Sequence, residues 1–286
     1  MSTATVSATI GRQRRPLPLR AEMRRQLRRR RTLVSFGFLV ALPLILVGAF
    51  ALGDDEGGGR NGRPSGFVDL AQTGSANFMV FTLFASTGFL LVVLAALFAG
   101  DSVPSEASWS TLRYLLAAPV PRRRLLTVKL VVGLLTVLAA LLVLVGWSLL
   151  VGGLAYGWAA FTDPVGRELG WSVLGPRIAL IIAILFANLL FVASAAFLFG
   201  VITDAPLAAV GGAVMLTIVF AILDSITALG SLREGLPTHY QYSWAGLLDQ
   251  AVVWGDIQRG LLWAVIYSAV LLAAAYVVFE RKDVLS

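Results

Sequence analysis

Six apolar runs alternate with polar segments along this chain of 286 residues. An α-helix rises about 1.5 Å per residue, so the roughly 30 Å hydrocarbon core of a bilayer takes about 20 residues. Each run meets or approaches that length, and the pattern therefore predicts an all-α membrane protein with six transmembrane helices. The predicted spans lie at about 33–52, 78–99, 128–154, 177–201, 207–223 and 261–279.

A basic arm, residues 1–32, precedes the first span and holds ten of the 23 lysine and arginine residues. Within it, Leu19, Met23 and Leu27 recur every fourth residue among arginines, which predicts an amphipathic helix lying on an anionic membrane surface. Nucleic acid is the rival partner, and it is disfavoured because Arg31 leads directly into a span. The arm and first span also imitate a secretory signal peptide, but the apolar run exceeds the usual 7–15 residues of such a peptide.

A polar loop between the second and third spans carries a helical pattern of its own. Trp109, Leu112 and Leu116 follow the spacing i, i+3, i+7, and Pro119 ends the pattern before a cluster of arginines at 122–124. Two interpretations fit this pattern. The loop is either a short helix that a soluble partner grips, or a solvated segment whose arginines only fix the orientation of the protein.

The same loop resembles the cytoplasmic segment of type-2 ABC exporter permeases, the membrane subunits of ATP-binding-cassette exporters. The resemblance is carried by Glu106-Ala107, Thr111-Leu112-Arg113-Tyr114-Leu115-Leu116, Pro119-Val120-Pro121-Arg122, Leu125-Leu126 and Lys129, with Ser105 and Ser110 where glycines are usual. The basic arm and the ending Phe279 to Val284 are similar to the termini of the same family.

This resemblance implies a coupling helix that contacts a separate ATPase subunit. The implied contact residues are Glu106, Trp109, Thr111, Leu112, Arg113, Tyr114 and Leu116. It also implies a second permease copy or a related permease as partner. ATP would act through the ATPase subunit, and no cofactor would bind this chain directly.

Composition and charge agree with a membrane protein and predict its orientation. Only 14% of the residues are charged and the mean hydropathy is +0.83, whereas soluble domains have about 25% charged residues. The arm, the loop and the tail 280–286 together hold 17 basic residues, and the opposite side holds six. The positive-inside rule therefore predicts that both termini are cytoplasmic and that the chain lies in the cytoplasmic membrane.

The sequence offers little chemistry of its own. It has no phosphate-binding G-x-x-x-x-G-K-[ST] motif, no H-E-x-x-H or G-x-S-x-G motif and no cysteine, and its only histidine is His239. We therefore expect no catalytic residue, no metal site and no enzyme activity in this chain. Asn188 and Asp224 are the candidate substrate-binding or interhelix polar positions, since both lie in or next to spans.

The segment 225–260 between the last two spans is predicted to contain a short helix on the outer surface, because Trp244, Leu247, Leu248 and Val252 follow helical spacing. The function predicted for the whole chain is that of a permease subunit that couples ATP hydrolysis by a separate subunit to export. An ion-driven transporter or channel and a non-transporting membrane assembly protein remain alternatives. Apolar drugs, lipids, peptides and ions all fit as substrates.

Overall fold

The computed structural model describes residues 19–57, 66–104, 122–203 and 205–281. These residues are almost entirely helical, which confirms the predicted all-α membrane fold. The helices are α1 (Leu19–Leu27), α2 (Arg30–Gly57), α3 (Phe67–Ala71), α4 (Ser75–Thr87), α5 (Leu90–Gly100), α6 (Arg122–Tyr156), α7 (Trp171–Thr203), α8 (Pro206–Ser225) and α9 (Trp254–Arg281). A small antiparallel hairpin pairs β1 (Phe161–Thr162) with β2 (Glu168–Leu169), and two 3₁₀ helices lie at Thr227–Gly235 and Ser243–Leu247.

Five of the described helices, α2, α6, α7, α8 and α9, are long and apolar enough to cross a membrane. The pair α4 and α5 makes a sixth span if it is counted as one. The chain therefore passes repeatedly between two ends of the bundle. We call them the arm end, which holds α1 and both ends of the loop 105–121, and the far end, which holds the β-hairpin and the 3₁₀ helices.

The second predicted span is broken in the middle, with a bend of 61° between α4 and α5. Phe89 leaves the helical region of backbone space, with φ −137° and ψ −60°, directly after Gly88. Just before this point Ser86 and Thr87 donate their hydroxyl groups to the carbonyl oxygens four residues earlier, at 2.6 and 2.7 Å. Such bonds compete with the backbone ladder, and kinks commonly occur beside glycine and serine.

Helix α7 lies in the centre of the bundle and packs against α5, α8 and α9. Its contact with α5 depends on missing side chains, because a Cβ placed on Gly200 would lie 2.6 Å from the carbonyl oxygen of Gly100. Gly133 on α6 shows the same constraint, with 2.9 Å from such a Cβ to the carbonyl oxygen of Phe98. The three backbones therefore meet closely at the arm end, where the candidate site is found.

The segment between α8 and α9 contains two short 3₁₀ helices, of which the first, Thr227–Gly235, has no buried residue, whereas the second, Ser243–Leu247, packs inward instead of lying wholly on the outer surface. Trp244 and Leu247 are both 0% exposed and belong to the main hydrophobic core, and the Trp244 ring lies 4.5 Å from that of Phe84. Arg177 on α7 holds the segment in place by donating to the carbonyl oxygens of Leu247 and Asp249 at 2.7 and 2.6 Å. Large apolar side chains are more stable buried, so the second 3₁₀ helix folds inward.

Candidate functional site

Helix α1 is attached to the bundle through its polar edge. Glu22 is 6% exposed, and its Oε1 lies 3.4 Å from Nζ of Lys129 on α6, which is itself only 2% exposed. The same Nζ donates to the backbone oxygen of Ser102 at 3.1 Å. Two charges taken out of water each carry a desolvation cost, which their mutual attraction and the added hydrogen bond offset. Glu22 and Lys129 therefore dock the arm onto α6.

A second ionic contact joins the arm to the end of α5. Arg31 donates to Oδ1 of Asp101 at 2.7 Å, and Arg29 donates to Oδ2 at 3.3 Å. Burial raises the pKa of the Asp101 carboxyl above its ordinary value, and the guanidinium groups of Arg31 and Arg29 oppose that shift. The arginines thus favour the ionised carboxylate, against the desolvation that favours its protonated form.

These two contacts lie on opposite flanks of the loop 105–121. Asp101 and Ser102 lie within four residues before the loop, and Lys129 lies about two helical turns after it. The arm is therefore bonded to the chain on both sides of the loop, and we call these five residues, Glu22, Arg29, Arg31, Asp101 and Lys129, the arm clamp.

The end of α9 also contacts the helices that carry the loop 105–121. Glu280 forms an ion pair with Arg123 in the first turn of α6, and the hydroxyl groups of Thr127 and Tyr276 lie 2.7 Å apart. Helices α1, α5, α6 and α9 therefore converge around the two ends of the loop. A displacement of the loop would act on all four.

The predicted contact residues of the loop lie outside the described residues. They are Glu106, Trp109, Thr111, Leu112, Arg113, Tyr114 and Leu116. Their contact with an ATPase subunit stays a prediction, and the geometry above concerns only the helices that carry the loop.

The apolar stripe of α1 faces away from the protein. Leu19 and Leu27 are each 42% exposed, and the arginines beside them, Arg20, Arg24 and Arg28, are exposed as well. An exposed apolar stripe flanked by cations suits an anionic membrane surface. The sequence pattern identified this stripe but not the neighbouring polar edge, Glu22 and Gln26, by which the helix is held.

Asn188 and Asp224 occupy different surroundings. The Nδ2 atom of Asn188 is buried and has no hydrogen-bond partner in the part of the chain that the structure describes. Asp224, at the end of α8, has its Oδ1 2.5 Å from Nδ1 of His239, and its backbone oxygen accepts a hydrogen bond from Arg233 at 3.1 Å. Among the described residues no group of three or more His, Cys, Asp or Glu could hold a metal ion.

Sequence reasoning missed the arm clamp. Lys129, in the first turn of the predicted third span, contributed only to the charge count and to the family resemblance, although an ionisable residue at the start of a long apolar run is a signal for a buried partner. The identity of that partner was not readable, because Glu22 lies 107 residues earlier in a helix with many charges. Asp101 likewise carried no signal beyond its place after a span.

Residues 19–284 match a family model described as ABC-2 family transporter protein. The matched range includes the arm helix, all the long apolar helices and the loop 105–121. No curated protein matches the chain significantly.

Proposed function

The chain belongs to the ABC-2 family of transporters as a multi-pass membrane permease, and on that premise we propose that it is the permease subunit of an ATP-driven exporter. A separate ATPase subunit hydrolyses ATP, and the loop 105–121 couples that hydrolysis to transport. The observation that carries the proposal is the family match over residues 19–284, which includes the loop and the helices on both of its flanks.

The arm end supports the coupling role by its construction. A coupling element needs a rigid base, since a soft attachment would absorb the motion of the ATPase instead of passing it on. Here Asp101 ties the first flank of the loop to Arg29 and Arg31 of the arm. Lys129 ties the second flank to Glu22 on α1, and Arg123 ties it to α9. Movement of the loop would therefore shift α1, α5, α6 and α9 together.

The arm end is cytoplasmic in this proposal, because 17 of the 23 basic residues lie on that side. The permease then lies in the cytoplasmic membrane, with α1 against the anionic lipids of the inner leaflet. A second permease copy or a related permease completes the transporter. The largely exposed apolar faces of α2, α8 and α9 leave ample surface for such a partner and for lipid.

The energy source is tested on the purified chain. We expect no ATPase activity from the chain alone, because it contains no phosphate-binding loop. Adding the cognate ATPase subunit should give hydrolysis and ATP-dependent transport in proteoliposomes. The control is the same ATPase with its phosphate-loop lysine replaced. ATP hydrolysis by the chain alone, or transport driven by an ion gradient without the ATPase, would contradict the proposal.

The orientation is tested with a reporter that is active only in the cytoplasm. Fusion after Ser286 and insertion between Pro119 and Arg124 should both give an active reporter, because the charge count places these positions inside. Insertion between Gly57 and Gly62 should give a silent one. A reporter that is active at the glycine-rich position would overturn the proposed topology.

A further inference from the structure

Two neighbouring cavities lie where the break between α4 and α5 faces α8. The larger has a volume of about 270 Å³ and is lined mainly by apolar side chains of α5 and α8, such as Val92, Ile218 and Ile222. The smaller, of about 30 Å³, lies deeper, between α5, α7 and the segment after the first 3₁₀ helix. Thr217 and Gln241 line both cavities, so the two share a wall.

The smaller cavity contains polar atoms that lack partners. Asn188 and Thr238 both line it, and neither Nδ2 of Asn188 nor Oγ1 of Thr238 has a hydrogen-bond partner among the described residues, although both atoms are buried. The Thr238 residue is only 5% exposed. A buried polar group without a partner costs roughly 1–3 kcal/mol, so these atoms suit a site that a ligand completes.

The backbone around the cavities also suits a ligand-binding site. Thr87, Gly88 and Phe89 form the break in the second span, and they also contribute to the cavity walls. Irregular backbone inside a membrane is tolerated where it is enclosed by protein or lines a cavity, and broken helices commonly form binding sites in transporters. The break therefore borders both cavities, with Gly88 and Phe89 at the larger one and Thr87 at the smaller one that contains the unpartnered side chains.

Among the residues that the structure describes, no charged side chain lines either cavity. The nearest ionisable residues along the chain are Asp224, next to Ser225, and His239, next to Thr238, and these two contact each other at 2.5 Å. Charged ligands would thus find no counter-ion in the walls. The lining instead offers an apolar chamber, open to the outside of the bundle where Ile218 and Ile222 are exposed, with a neutral hydrogen-bonding recess at its inner end.

We propose that these cavities form one binding site for an uncharged amphiphile. An oxygen atom of its head group accepts a hydrogen bond from Nδ2 of Asn188 in the recess, and its apolar body occupies the larger chamber. The combined space is near the lower end of the roughly 300–1,000 Å³ found for small-molecule sites, so the ligand is small. This inference rests on the proposed function and deepens it by naming a class of substrate.

The test uses photoaffinity labelling of the full chain in lipid nanodiscs, without any ATPase. One probe is decanamide with a diazirine at the end of its alkyl chain, and the matched probe replaces the amide by a methyl group. We expect the amide probe to label Val92 and the 217–222 region of α8, and excess unlabelled decanamide to suppress this labelling. The hydrocarbon probe should label without such competition.

Two variants test the recess itself. Asn188→Leu should weaken the saturable labelling by the amide probe about threefold to tenfold, as expected for one lost hydrogen bond, and should leave the hydrocarbon probe unaffected. Thr238→Val should weaken it less. Thr136→Val is the matched control, because Thr136 is equally buried but lies on α6 and donates to its own helix at Val132.

Three results would overturn the site. If both probes label equally and excess decanamide does not compete, the chamber is only a groove for lipid. If neither probe labels, the recess holds only water. If the amide probe labels Asn188→Leu as well as the parent, the recess does not recognise the ligand. None of these results depends on ATP. Export without saturable labelling would thus contradict only the binding site. Saturable labelling without ATP-dependent transport would contradict only the proposed function.

Discussion

Replacing Glu22 by glutamine should loosen the arm from the bundle and destabilise the protein by about 3 kcal/mol, the lower end for breaking one partner of a buried ion pair. The reason is the burial of Lys129, which loses the carboxylate 3.4 Å from its Nζ while the ammonium group stays inside the protein. Thermal unfolding in detergent measures the loss of stability. Hydrogen exchange of the α1 amides measures the detachment. The increase in exchange rate should be much larger in α1 than in α7.

Two comparisons isolate the ion pair from a general effect of the substitution. Glu168→Gln makes the same chemical change on the exposed hairpin and should leave unfolding almost unchanged. The double variant Glu22→Leu with Lys129→Met should recover much of the loss, because apolar residues of similar volume often replace a buried ion pair without penalty. If Glu22→Gln behaves like Glu168→Gln, the arm is not held by this contact and the rigid base of the loop loses one of its supports.

The apolar pattern was enough to predict the class of fold, but not the path of the second span. The run of apolar residues from 78 to 99 does not indicate whether the helix axis is straight or bent, because a straight helix would bury these residues as well as a bent one. The bend arises from local competition, in which Ser86 and Thr87 bond to their own helix just before Gly88. Serine and threonine in membrane helices usually make such bonds without breaking the helix, so their presence alone predicts no bend.

The far-end segment shows a different limit. Its apolar residues were correctly seen as one face, yet a surface helix and an inward fold share that pattern. The choice depends on Arg177, which supplies guanidinium donors to three carbonyl oxygens of the segment from another helix. Contacts between residues 70 or more positions apart are set by the assembled bundle, and periodicity along the chain carries no information about them.

The arm clamp could not be predicted for the same reason, although each of its parts was visible. Arg29 and Arg31 are two of seven arginines between Arg20 and Arg31 that a charge count treats alike. Only the assembled fold separates Arg29 and Arg31, which meet Asp101, from the arginines that flank the apolar stripe of α1. The loop that the clamp supports, in contrast, was predicted from sequence alone, and its role has to be decided by substitution.

Leu112→Asp should abolish co-purification of the ATPase subunit and ATP-dependent export. If Trp109, Leu112 and Leu116 form the face that inserts into the ATPase, a carboxylate at Leu112 removes an apolar anchor and buries an unpaired charge. Loss of a central anchor of this kind typically costs about 2–4 kcal/mol, which weakens binding by more than an order of magnitude. Ser110→Asp adds the same charge on the opposite face of the predicted helix and should do much less.

The yield and unfolding of both variants should match the parent, because Leu112 and Ser110 belong to a loop that the sequence predicts to lie outside the spans. Glu22→Gln gives the complementary pattern, with a destabilised permease in which the predicted ATPase-contacting residues are unaltered. The two kinds of variant thus separate the docking of the ATPase from the rigidity of the base that receives its motion. Equal co-purification and export for Leu112→Asp and Ser110→Asp would mean that the loop is a solvated segment, and that the coupling of this permease to an ATPase must be sought elsewhere on its surface.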